Sequence, residues 1–216
     1  MKKWKSALIV SSIVVLLSIL LFFVQPEDVL KHVPILKSFY QNTTLEITVP
    51  YGKANVKING KEYGETPLNI QSLVAGEYEV ELEKIAIEEG YYKTHTFKVP
   101  LTKNSTSRIN LEIGPDDSLH GSILYYQEDK NSSPNKGKLT ITTNSKDTRV
   151  FMNSEFLKST PVTNLELNEG EYEISLQSEE YENLTLPIVI REGYTLNIKG
   201  YLLPISVIFD SAQIDE

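Results

Sequence analysis

The sequence contains no cysteine, so neither disulfides nor thiolate metal sites can staple the fold, and packing must supply its stability. Histidine is scarce: His32, His95 and His120 stand far apart and in no metal-ligand spacing. A glycine-rich phosphate loop, a nucleophile elbow and an Asp-rich calcium loop are all missing. Basic residues are also in deficit, with 21 Lys and Arg against 29 Asp and Glu and a net charge of -8. Lys2, Lys3 and Lys5 are the only charges up to residue 24, which leaves 18 basic against 29 acidic residues, or -11, in everything that follows. An acidic body of this kind excludes nucleic acid as the expected partner, because phosphate binding needs clustered Lys and Arg. The absences point away from catalysis: no catalytic residue, cofactor or metal is expected.

Ala7 to Val24 is an uncharged, apolar run of 18 residues, long enough to span a bilayer as a helix. Lysines precede it while Glu27 and Asp28 follow it, and the positive-inside rule then places residues 1–6 in the cytoplasm and the rest outside. A cleaved secretory signal is the competing reading. The run exceeds the usual apolar core of such signals, and Phe22-Phe23-Val24-Gln25-Pro26 offers no small-residue cleavage site. Residues 25–44 form a juxtamembrane linker in which Val29, Val33, Leu36 and Tyr40 recur at helical spacing, interrupted by Pro34.

The body of the chain is a duplication. Thr66-Pro67, eight residues, then Gly76-Glu77-Tyr78-Glu79 returns as Thr160-Pro161, eight residues, then Gly170-Glu171-Tyr172-Glu173. A shift of 94 aligns residues 45–82 with 139–176 without a gap, and 13 of the 38 positions are identical. Beyond that the offset falls to 89, so the first copy carries five extra residues near Lys84 to Tyr91. Within each copy apolar residues alternate with polar ones, as in Leu45, Ile47 and Val49, or Tyr78, Val80 and Leu82 with Glu77, Glu79, Glu81 and Glu83 between and around them. That is the period of a strand with one buried face. Asn59-Gly60 marks a tight hairpin, and its counterpart is Asn153-Ser154. Pro67 and Pro161 force the preceding threonine into an extended conformation, and Gly76 and Gly170 suit a turn with positive φ. The tyrosines fill the core and keep a hydroxyl near an edge. These motif residues read as scaffold. No sustained helical period occurs between residues 45 and 201, so the expected fold is all-β, two tandem small β-sandwich domains behind one transmembrane helix.

These residues resemble the PEGA domain family, named for a Pro-Glu-Gly-Ala motif. The resemblance rests on Thr66-Pro67, Ala75-Gly76-Glu77-Tyr78 and Asn59-Gly60, and the second copy departs from it at Glu169 and Ser154. It implies a small extracytoplasmic β-sandwich with no assigned catalytic residues. The expected organisation is a cytoplasmic segment 1–6, an anchor 7–24, a linker 25–44, a first domain 45–113, a connector 114–137, a second domain 138–202 and an apolar tail 203–216. The expected function is a non-enzymatic, membrane-anchored module of the cell envelope, a binding unit or spacer whose partner is an envelope protein or polysaccharide. The alternative is an accessory or sensor subunit of a larger membrane complex. Specificity is expected where the copies differ, in the Lys84–Tyr91 loop, the strand-like Ile123–Tyr126 segment and the tail.

Overall fold

The computed structural model describes residues 43–86 and 91–205. The expected anchor, all of the linker before Thr43, the centre of the Lys84–Tyr91 loop and the tail from residue 206 lie outside the described residues. Among the described residues the chain is entirely β, and no helix is long and apolar enough to cross a membrane.

Among the described residues fifteen strands form, in chain order: β1 (Thr44–Thr48), β2 (Ala54–Ile58), β3 (Lys61–Glu65), β4 (Leu68–Ile70), β5 (Gly76–Lys84), β6 (His95–Leu101), β7 (Thr106–Ile113), β8 (Leu119–Glu128), β9 (Lys136–Thr143), β10 (Arg149–Met152), β11 (Glu155–Ser159), β12 (Val162–Asn168), β13 (Gly170–Gln177), β14 (Leu184–Ile190) and β15 (Tyr194–Tyr201). Strands β1–β7 and β9–β15 are the two copies, each contributing one four-stranded sheet, β3-β2-β5-β6 or β11-β10-β13-β14. The remaining strands make a single seven-stranded sheet in the order β12-β9-β15-β8-β7-β1-β4. Its order is a palindrome about β8, which lies in the segment expected as a connector.

Strand β8 is antiparallel to both β7 and β15, whereas β1 runs parallel to β7 and β9 parallel to β15. Its residues alternate between two cores. Leu119 and Ile123 belong to the cluster containing Ile47, Tyr78, Leu82 and Leu111. Leu124 belongs to the cluster containing Ile141, Ile174, Leu176 and Ile198. Neighbouring residues of a strand point to opposite faces, so the two four-stranded sheets cover opposite faces of the central sheet.

The register shows how the copies are related. Ile109 of β7 faces Ile123, while its equivalent Ile198 of β15 faces Leu124. One residue along a strand is a half-turn and an advance of about 3.3 Å. The pleat of β8 is therefore itself the operator that carries one repeat onto the other. The strand-like Ile123–Tyr126 segment lies within the central strand β8, whose two faces each contribute to one core.

Candidate functional site

The motif residues hold the scaffold in the same way in both copies. Asn59 and Gly60 have φ of 50° and 75°, and Asn153 and Ser154 have 50° and 69°. The asparagine does more than turn the chain: its Oδ1 accepts the backbone N–H of Glu79 at 2.9 Å, and Asn153 does the same for Glu173 at 2.9 Å. Each hairpin tip is thereby tied to the next strand of its sheet. Thr66 is buried, its Oγ1 accepting the Ala54 N–H at 3.0 Å, and Thr160 donates its N–H to Thr148 O at 2.8 Å. Both Thr-Pro bonds, to Pro67 and Pro161, are cis. The Tyr78 hydroxyl donates to Val74 O at 2.9 Å, and the Tyr172 hydroxyl to Asn168 O at 3.0 Å. Gly170 has the expected positive φ, 153°, but Gly76 does not, although both open their strands, Gly76 paired with Leu101 and Gly170 with Ile190. Glu77 and Glu171 are exposed. These residues form matching turns and strands in two repeats and do not converge on one site.

At the junction, the turn before β15 grips the turn before β7. Arg191 Nη1 donates to Asn104 O at 3.0 Å, and the Tyr194 hydroxyl reaches Lys103 O at 3.4 Å. The guanidinium lies 5.6 Å from the Tyr126 ring centre and 5.0 Å from that of Tyr194. Tyr126 in turn donates to Val189 O at 2.7 Å, and its carbonyl accepts the Thr102 hydroxyl. On the other face Tyr201 of β15 packs into the first core, edge-on to Phe97 with ring centres 6.0 Å apart. Both faces of the joint are thus fastened by aromatic and hydrogen-bonded contacts.

Beyond the longer Lys84–Tyr91 loop, the copies differ at two places among the described residues. The first is the corner below β5 or β13. In the first repeat Lys84 fills it: the ammonium pairs with the Glu112 carboxylate, donates to Ile113 O at 2.7 Å and sits 4.7 Å from the Tyr92 ring centre, while Glu112 accepts the Tyr51 N–H at 2.7 Å. In the second repeat the residue equivalent to Lys84 is Ser178, and hydroxyls take over. Ser178 Oγ lies 2.8 Å from Ser145 Oγ, and Thr143 Oγ1 lies 3.0 Å from Thr148 Oγ1 and 3.2 Å from Thr160 Oγ1. Beside them opens a cavity of about 370 Å³ lined by Thr142, Thr143, Ser145, Lys146, Asp147, Thr160 and Pro161. Its ionisable groups, Lys146 and Asp147, are exposed, and the hydroxyls bond to one another. The cavity offers donors and acceptors but no base positioned to activate a nucleophile.

The second difference lies on the outer faces of the four-stranded sheets. Lys57 and Glu62 face each other in the first repeat, and Lys57 also meets Glu81 at 3.1 Å. Their equivalents Phe151 and Phe156 pair edge-on, ring centres 5.7 Å apart, with Phe156 58% exposed. The aligned sequences carried this change, but without knowing which side of each strand faces out its meaning was not readable. Ile85 and Tyr91, at the ends of the long loop, are exposed.

One titratable group is held against its preference. His95 stacks near Phe97, and its Nε2 is buried without a hydrogen-bond partner. Burial lowers its pKa, Asp117 opposes that shift and Lys93 adds to it. The unfolded chain therefore binds this proton more readily, so stability should fall as pH drops through the unperturbed histidine value of about 6.5 towards the lower folded value. Thermal melts at pH 7 and pH 5 are expected to show a smaller acid-induced loss for His95→Leu than for the wild-type protein. An equal loss in both would remove His95 as the cause.

Among the described residues no three His, Asp or Glu side chains gather as a metal would require. What the fold defines is a class: a tandem pair of small β-sandwich repeats fused through a shared sheet. The PEGA domain model matches residues 42–117 and again 136–205, and the chain belongs to the PEGA domain family, a non-catalytic type of module. Comparison with the curated proteins gives no match.

Proposed function

We propose that this protein is a non-enzymatic, membrane-anchored module of the cell envelope, acting outside the cytoplasm as a rigid spacer that carries a binding surface away from the bilayer. One observation carries the reading: the repeats share a continuous sheet through β8, where independent binding domains would be joined by a polar linker. A spacer needs a fixed separation between its ends, and hydrogen-bonded strands provide one. The apolar run Ala7–Val24 supports the anchor, and the acidic body suits an aqueous compartment. An envelope protein or polysaccharide is the partner class, and the surfaces on which the repeats differ are where it would be recognised.

Fractionation and protease accessibility test the placement. The full chain should sediment with membranes, resist salt extraction, and lose residues 43–205 to protease added from outside. A chain without residues 7–24 should be soluble. Recovery of the full chain in the soluble fraction, or protection from external protease, would reject the proposal.

A further inference from the structure

The directions of the strands say how this spacer takes a load. Strands β1, β7, β9 and β15 all run the same way, with β4, β8 and β12 opposed to them. The chain therefore enters the central sheet at the start of β1 and leaves it at the end of β15, at opposite ends of the strand direction. Following the register from Thr44 to Thr106, across β8 and on to β15 puts Thr44 level with Leu196. Tyr201 lies five residues further on, roughly 17 Å along the strands, while three inter-strand steps separate β1 from β15 laterally by roughly 14 Å.

We infer that the central sheet is a load-bearing element, built so that tension between the N-terminal and C-terminal flanks of residues 43–205 acts on its ladders in shear. Pulling β1 out along its length loads all five pairs of its parallel ladder with β7, from Thr44–Thr106 to Thr48–Asn110, at the same time. Its three pairs with β4 join them. At the other end β15 is held by six pairs with β9 and eight with β8. Bonds loaded together must break together, whereas bonds at the mouth of a zipper break one at a time, and the barrier to forced unfolding sets the rate.

Both points of entry are locked in addition. Thr43 is buried, its hydroxyl meets Thr102 O at 3.4 Å, its carbonyl accepts the Leu73 N–H at 3.2 Å, and Thr44 donates its N–H to Ser105 O at 3.0 Å. At the exit, Asn144 holds the backbone of Leu202 through two hydrogen bonds, of 2.8 and 3.0 Å. Glu182 then donates its N–H to Leu203 O at 2.9 Å, and Ile205 donates its own to Glu180 O at 2.7 Å. Neither end can peel before these contacts go, so tension passes into the sheet.

The inference rests on the spacer reading, because tension across residues 43–205 needs both ends held, one by the membrane anchor and the other by the partner. Force spectroscopy on the full chain in detergent tests it, and the lack of native cysteine makes introduced attachment points unique. One geometry pulls between the two chain termini. The other pulls between Lys103→Cys and Glu128→Cys, exposed positions at the same end of the β7–β8 ladder, which opens that ladder as a zipper. At equal loading rate the terminal geometry should need severalfold more force. Equal forces, or a weaker terminal geometry, would overturn the load-bearing role and leave the membrane placement, read by fractionation, untouched.

Discussion

Gly121→Ala is expected to be the most damaging glycine-to-alanine change among the described residues, destabilising the fold by about 2–6 kcal/mol. Gly121 lies in β8 with a φ of +131°, and an added Cβ would fall 2.1 Å from Asn110 O and 3.1 Å from Leu111 Cα, both backbone atoms of β7. The backbone conformation costs a non-glycine residue roughly 1–3 kcal/mol, and forcing a methyl group into packed surroundings costs roughly 1–3 kcal/mol more. Relief would require β7 and β8 to part at the centre of the seven-stranded sheet. Whole-domain stability is only about 5–15 kcal/mol, so the variant should melt far below the wild type or fail to accumulate. Gly60→Ala is the control. Its φ of +75° is also unfavourable, but nothing lies within 4 Å of its Cβ position, so its loss should be clearly smaller in a denaturant titration.

The second large effect comes from truncating β8 one face at a time. Ile123 is 2% exposed and serves the first core, and Leu124 is 8% exposed and serves the second. Each change to alanine should cost about 2–5 kcal/mol. The diagnostic outcome is where that loss is felt. Ile123→Ala removes atoms only from the first core, yet β8 is the strand on which β15 closes the second repeat. Amide exchange should therefore accelerate in β13 as well as in β5, and Leu124→Ala should give the mirror result. Faster exchange confined to the repeat whose core was cut would mean that the sandwiches unfold independently.

Most of the sandwich was legible in the sequence because alternation is a local signal. Tyr78, Val80 and Leu82 are buried, with Glu77, Glu79 and Glu83 exposed and Glu81 half-buried before, between and after them. The internal repeat added the correspondence of strands, since Thr-Pro and Gly-Glu-Tyr fall at the same turns twice. Strand β4, only three residues long, left no period to read. The larger omission was the joint. Gly121, Ser122, Ile123 and Leu124 are all buried, a continuous run that marks a strand covered on both sides, although they fall in the expected connector 114–137. Which strands pair across 57 to 80 residues is set by tertiary packing and is not written in any window of sequence. The same holds for the corner, where Lys84 and Glu112 stand far apart in the chain and meet only when β5 and β7 are in place.

The motif also changes meaning in the structure. Asn59 and Asn153 look like turn residues, and they are, but the bond each makes to the neighbouring strand β5 or β13, 20 residues away, explains an amide side chain in a way that φ alone does not. The surfaces that distinguish the repeats, Phe151 with Phe156 and the hydroxyl-lined corner, lie away from that shared framework. Scaffold and candidate recognition surface are thus separate sets of residues.

The central claim is that β8 makes the two repeats one rigid body. The most direct test labels Glu79→Cys and Glu173→Cys, exposed positions on the outer faces of the two four-stranded sheets, with spin labels and measures the distance distribution between them in the full chain. A single narrow distribution, unchanged by viscosity or temperature below the melt, is the predicted result. A broad or multi-peaked distribution would show a hinge between the repeats and contradict the account.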